Sequence, residues 1–522
     1  MLTFLLLLAA LANDFNANAI RAHVKFLSSD LLEGRGPGTR GDALAESYIA
    51  AQFESYGLDT SIQKVSLLGI TTDEAKTEVA FTKEGKPLAG PLKYRDEFAG
   101  GDQTQKESST LDSEVVFVGH GAVAPEYRWD DYKGLDTRGK TLMMLVDDPP
   151  ASASEPDLFK GRARTYYGRW TYKYEIATAK SADAVILIHT NEAAGYGWQV
   201  VRNSWSGEQA YVRKAAGAHG LSFAGWITEN VARDLFAASG HDLASLTKAA
   251  ASRDFKPVPL GIRLKGRIGS TLRSFETANV VAKLEGSDPK LKEEAVLYSA
   301  HHDHLGIGPA DPADPDDTIY NGALDNASGV ATLLEIARVW SNTTPRPKRS
   351  IFFAAVAAEE QGLLGSQYLG QHPPVPAAKI ALGINLDELY FFGKVKSVTM
   401  LGVERTTFYP AAQSVTKSMG LTILPDQAPE QGSYYRSDHF SFGKVGVPAF
   451  TIKQVPDEAQ RPLVKEFKEK RYHQANDEFD PSWDFASVNQ IAELAFRLGL
   501  EAANAAQPAS WLPGDEFARP RS

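Results

Sequence analysis

The sequence predicts an α/β protein whose mixed, largely parallel sheet is sandwiched by helices, with a β-rich module inserted into it. Two observations predict this. The second half alternates wholly apolar runs ("ANVVAKLEG", "EAVLYSA", "IFFAAVAA", "KIALGINLDE") with helical stretches such as "ASGVATLLEIARVWSN" and "SVNQIAELAFRLGLEAANAA". Strands apolar on both faces and separated by helices are the pattern of a parallel sheet. The texture then differs over a long internal segment, where β-rich runs such as "SEVVFVGHGAVAPEYRW" and "ADAVILIHT" crowd together.

Taken in order, "MLTFLLLLAALAND" is an apolar run ending in Ala-Leu-Ala. It fits a secretory signal peptide over residues 1–12, cut after Ala12, although a basic leading region is missing. Export to the periplasm or the medium is therefore expected. The run is shorter than the ~20 residues that span a bilayer, so no stable membrane insertion is expected. Residues 13–111 open the main domain with two helices around the Gly-rich loop Gly34 to Gly41; "DALAESYIAAQFESYGL" repeats apolar residues at helical spacing and stops at Gly57. Residues 112–258 form the expected insertion, residues 259–507 the rest of the main domain, and 508–522 a tail without regular structure.

A chain of 522 residues exceeds one ordinary core. Its 43% hydrophobic and 23% charged content is that of a globular protein. A net charge of -10 with scattered basic residues argues against a nucleic-acid partner. The absence of cysteine excludes disulfides, thiol nucleophiles and Cys-ligated metals.

Open α/β sheets place their chemistry at the carboxyl ends of strands. After "AVLYSA" come His301, His302, Asp303 and His304; "NGALDNASGV" sets Asp325 ahead of a helix. After "IFFAAVAA" come Glu359 and Glu360; after "ALGINL" come Asp387 and Glu388; and "KRYHQANDEFD" supplies Tyr472 and His473. A lone strand-end Asp is ordinarily a helix cap. Several on one sheet edge point instead to a metal, and His with carboxylates is the donor set of catalytic Zn²⁺. His301 and Asp303 at i and i+2 would let the carboxylate hold the far ring nitrogen. Asp325, Glu360 and Asp387 bring three negative charges, which two Zn²⁺ and a bridging hydroxide balance and one Zn²⁺ does not.

In this order, "SAHHDHLG", "GALDNASGV", "AAEEQGLLGS", "INLDE" and "YHQANDEFD" resemble the dinuclear-zinc aminopeptidase family, whose relatives include glutamate carboxypeptidases, transferrin receptors and glutaminyl cyclases. "FVGHGAVAPEYRWDDYKGLDTRGKT" resembles the protease-associated domain often inserted in such enzymes, and "VKFLSSDLLEGRGPGTRG" their N-terminal segment. The resemblance implies a zinc-exopeptidase fold with two Zn²⁺ per chain, acting on peptides. It implies one zinc on His301 and Asp387, another on Glu360 and His473, and Asp325 bridging them. It further implies Asp303 behind His301, Glu359 as general base towards the bridging water, and Tyr472 at the oxyanion. An aminopeptidase needs an acid such as Glu388 or Glu359 for the substrate ammonium. A carboxypeptidase or dipeptidase needs a cation such as Arg436 for the carboxylate. A non-catalytic receptor and a one-zinc cyclase are the remaining alternatives, both opposed by the intact donors and paired glutamates.

Other signals carry less. Gly134 to Thr141 fits the P-loop pattern, but an apolar run follows where a helix is required. Ser437, Asp438 and His439 are adjacent, and triads are assembled through space; Asp438 is expected to line the site. Asp311, Asp314, Asp316 and Asp317 form an acidic loop that could take Ca²⁺ but lacks an EF-hand pattern and reads as solvated. His302 and His304 are expected to pack or hydrogen-bond beside His301.

Overall fold

The computed structural model describes residues 15–310 and 315–518. The expected signal peptide, and Asp311 and Asp314 of the acidic loop, lie outside the described residues. Two compact units form. One comprises residues 1–66, 276–427 and 433–522; the other comprises Leu67–Phe275 with Ala428–Gly432.

In the first unit, alternation of side chains across apolar strands builds two layers of core. Strands Ala295–His301, Ser350–Val356, Ile380–Asn385 and Ala449–Val455 run parallel to their neighbours. Ser397–Leu401 lies antiparallel on one side, and the end of Val258–Leu284 lies antiparallel on the other. Val296, Tyr298, Ile351 and Phe353 turn to a face covered by helices Ala17–Leu27, Arg40–Ser55, Ser328–Asn342 and Ala486–Asn504. Leu297, Phe352 and Ala354 turn to the other face, under helices Leu364–Gln371 and His439–Lys444. Fully burying one such side chain contributes about 1.5–3 kcal/mol. The opening helices form where read: Asn16 and Thr39 cap them through their side chains, and Gly57 (φ 74°) takes the left-handed turn after the second.

The second unit is wider than 112–258. Glu78–Lys83 pairs antiparallel with Arg263–Arg267, so chain on both sides of the expected insertion closes one sheet. It is also less purely β. Ser108–Phe117, Lys140–Leu145, Ala184–His189 and Phe223–Thr228 form a parallel row, flanked by helices Trp170–Ala179, Trp198–Trp205, Glu229–Ser239 and Leu243–Ala250. Lys140, the lysine of the P-loop pattern, opens a strand, so no helix N-terminus follows that loop.

Candidate metal centre

Parallel register aligns the strand ends of the first unit. His301 lies opposite Val356, and Asn385 lies between Ser299 and Thr451. Residues immediately beyond these points therefore share one edge. His301 Nε2 is 3.2 Å from Asp325 Oδ1 and 3.5 Å from Asp387 Oδ1. His473 Nε2 is 3.2 Å from Asp325 Oδ2 and 3.2 Å from Glu360 Oε2. Asp325 thus stands between two groups, His301 with Asp387 and His473 with Glu360.

The donor set fits zinc by spacing as well as by chemistry. Donors 2.0–2.2 Å from a tetrahedral ion sit about 3.3–3.6 Å from one another, close to the nitrogen–oxygen separations here. Charge agrees. Burial opposes ionisation of Asp325, yet hydrogen bonds from His301 and His473 hold its carboxyl well below the usual range. Burial likewise opposes charge on His473, but Glu360 and Asp325 raise it to about 11. The pocket is built to hold positive charge against its carboxylates.

Glu359 and Glu360 behave differently although adjacent. Glu360 Oε2 faces His473, and Oε1 takes a hydrogen bond from His304 Nδ1 at 2.7 Å. Burial, with Glu360, Asp438 and Asp387 nearby, holds the Glu359 carboxyl well above its ordinary value. Tyr472 stacks on His473 with ring centroids 4.0 Å apart and is partly open to solvent. Left-handed backbone at Ala358, Glu388 and His473 (φ 52°, 52° and 56°) gathers beside these donors, a local strain that functional sites often hold.

Asp303 departs from expectation. The strand ends at His301, so residue 303 no longer shares an extended face with it. The ring N–H at Nδ1 donates to the Asp303 backbone carbonyl at 3.2 Å, while the carboxylate is 3.7 Å away. Asp303's oxygens instead accept the backbone N–H groups of Glu359 and Glu360 at 3.0 and 3.3 Å. Glu388 faces Lys453, its Oε2 3.2 Å from Nζ. Asp438 is buried, its carboxyl pushed up to about 7 by that burial. Arg436 is exposed. His302 bonds Asp42 rather than the donor group, at 3.1 Å.

Several contributors escaped sequence reasoning. Arg35, fully buried, donates to the carbonyls of Leu27, His302, Asn321 and Gly322, tying the N-terminal segment to the loops before Asp303 and Asp325. Asp477 accepts the N–H groups of Leu324 and Asp325 at 3.1 Å. Ser437 donates to Asp387 Oδ2 at 2.5 Å and accepts from Asn385, which accepts from Ser299. Lys453 Nζ donates to the Asp387 carbonyl at 2.9 Å. Gly322 (φ 55°) must be glycine, since a Cβ would meet the Asp325 carbonyl at 2.2 Å. Arg35, Ser299, Gly322, Asn385 and Asp477 lay inside quoted motifs and Ser437 was named, but no spacing rule pointed to these contacts; Lys453 stood outside every motif.

Residues 279–498 match the model of Peptidase family M28. A "Probable zinc metalloprotease" of Pyrenophora teres f. teres is 41% identical over 108 residues, 21% of this chain and 22% of that protein. The "Probable lipoprotein aminopeptidase LpqL" of Mycobacterium tuberculosis is 27% identical over 275 residues, covering 48% of this chain and 52% of that protein. The chain thus spans between about a fifth and a half of the length of these curated relatives. The solved aminopeptidase from Aneurinibacillus sp. strain AM-1 shares the fold, with a TM-score of 0.50 at 19% identity over 95% of this chain and 96% of that one.

Proposed function

We propose that this protein, whose residues 279–498 match the model of Peptidase family M28, is a two-zinc exopeptidase removing N-terminal residues from peptides. One observation carries the reading: His301, Asp325, Glu360, Asp387 and His473, spread over 173 positions of sequence, meet with nitrogen–oxygen separations of 3.2–3.5 Å. His301 and Asp387 would hold one zinc, His473 and Glu360 the other, and Asp325 both.

Zinc bound there supplies Lewis acidity, lowering the pKa of water and polarising a carbonyl. The chain's own groups do the rest. The Asp303 carbonyl fixes the His301 tautomer, leaving Nε2 as the donor. Glu359, held high in pKa, takes a proton from the attacking water and returns it to the leaving amine. The Tyr472 hydroxyl donates to the oxyanion of the tetrahedral intermediate. Lys453 fixes one oxygen of Glu388, and the other accepts the substrate ammonium, which favours aminopeptidase over carboxypeptidase action. Export is part of this proposal, read from the apolar N-terminal run and tested by sequencing the N-terminus of secreted protein.

Metal analysis of purified protein is expected to give two zincs per chain, and free dipeptides to be hydrolysed while N-acetylated ones are not. Equal hydrolysis of both would overturn the N-terminal specificity. A single zinc would overturn the two-metal centre.

A further inference from the structure

The second unit holds a cavity of about 1390 Å³ lined entirely by its own residues. It opens at the carboxyl ends of the four parallel strands, where His120, Asp147, His189 and Glu229 follow or end their runs. This is the edge at which open α/β sheets take ligands.

Its histidines point to the kind of ligand. His120 and His189 are 7% and 4% exposed. His120 Nδ1 is 3.1 Å from the Asp147 carbonyl, and His189 Nε2 is 3.0 Å from the Tyr196 carbonyl. A carbonyl only accepts, so each of these ring nitrogens carries the proton. Burial holds both rings below their ordinary pKa, and therefore neutral. The second nitrogen of each ring is then a bare lone pair, and among the described residues it has no hydrogen-bond partner. Two ring acceptors on otherwise buried histidines and the carboxylates of Glu192 and Asp234 thus line one cavity.

An anion does not suit this wall. Helix Glu229–Ser239 turns its N-terminus here, but Thr228 caps it and Glu229 already sets a carboxylate in its first turn. Of the cavity's two cations, Arg233 pairs with Glu229 at 2.5 Å and Lys248 is exposed, against the carboxylates of Asp147, Asp148, Glu192, Glu229, Asp234 and Asp242; Asp147 is paired with Arg164 at 3.3 Å. A preformed metal site does not suit it either, since among the described residues the donor groups close enough to share an ion lie elsewhere. An acceptor-lined wall beside the ring of Trp198 matches a cation rich in N–H donors.

We infer that this cavity binds the guanidinium or ammonium side chain of an arginine or lysine carried on a peptide. The site shares no residue with the candidate metal centre, and the inference does not rest on hydrolysis.

The test uses the full zinc-loaded chain and fluorescent peptides with blocked ends, alternating glycine with D-Arg, D-Lys, D-Gln or D-Glu, which resist cleavage. Anisotropy is expected to show saturable binding of the D-Arg and D-Lys peptides and not of the others. Glu192→Lys with Asp234→Lys, both exposed, is expected to weaken binding at least tenfold while dipeptide hydrolysis is unchanged. Hydrogen exchange is expected to slow at residues 118–121 and 189–193 on binding. Absence of saturable binding, equal binding of the D-Gln peptide, or indifference to the double variant would each overturn the inference. Binding without any hydrolytic activity would overturn the proposed function and leave this site standing.

Discussion

Glu359 and Glu360 are chemically identical neighbours, and their surroundings divide the work between them. Glu360 is met by two imidazoles, His304 and His473, and stays ionised. Burial, with Glu360, Asp438 and Asp387 nearby, raises the proton affinity of Glu359, as a group that accepts a proton from water requires. Removing the capacity to accept a proton without changing shape isolates that role: on the proposed function, Glu359→Gln is expected to keep the unaltered chain's zinc content and to lower kcat by about 10²–10⁴-fold, read by steady-state kinetics alongside metal analysis. Ser437→Ala is expected to act differently. It removes the hydroxyl that orients Asp387, so zinc affinity falls by about 10–100-fold, measured by competition with a chelator. His301, Glu360 and Asp387 were legible because each follows an apolar run, Asp325 because it stands ahead of a helix, and His473 through the motif around it. Arg35, Asp477 and Ser437 were not, because they grip backbone groups or carboxylates brought close only by folding. Asp303 shows the limit of a spacing rule: an i, i+2 argument holds within a strand, and the strand ends two residues too early.

At the scale of elements, the described part of the tail, residues 508–518, has no helix and no regular strand, yet it is anchored. Arg405 meets Asp515 at 2.7 Å and Glu516 at 2.6 Å, beneath the rings of Tyr434, Trp511 and Phe517. Tyr435 donates to Glu516, two residues before Ser437. Deleting residues 508–522 would leave Arg405 without those carboxylates and loosen the segment that reaches Asp387. Unfolding in urea is expected to show a loss of about 3–5 kcal/mol, with weaker zinc retention. The strands and helices of the first unit were readable because burial on both faces and helical spacing leave strong patterns. Helix Trp170–Ala179 was not. It buries Tyr172, Lys173, Tyr174 and Ala177, three of them consecutive and one a lysine, so no clean apolar stripe shows in the sequence, and its aromatic residues favour strands. The edge of the inserted unit was misplaced for a related reason: pairing of Glu78–Lys83 with a strand some 180 positions later has no local signature.

Over the whole molecule, both units bury neutral histidines, and this couples stability to pH. His23, beneath the opening helices, has its pKa lowered by burial to about 4; His120 in the other unit is lowered to about 3. An unfolded histidine protonates near 6.5. Between that value and the folded pKa the unfolded chain binds the extra proton, so the contribution is fully present above pH 6.5 and is lost as pH falls towards 4. For His23 the span corresponds to about 3 kcal/mol. Metal loss would add to any acid effect, and buried carboxylates such as Asp148 and Asp438, raised to about 7, shift stability the other way, so the measurement is made in excess chelator and read as a difference: the stability of the chain relative to His23→Gln is expected to fall from pH 7 to pH 4. His23→Gln, which has no proton to gain, is expected to flatten the part due to His23, while the part due to His120 persists. An unchanged slope in that variant would mean that His23 is protonated in the folded protein, against the cost of charging a ring enclosed by Tyr48, Val24 and Leu27.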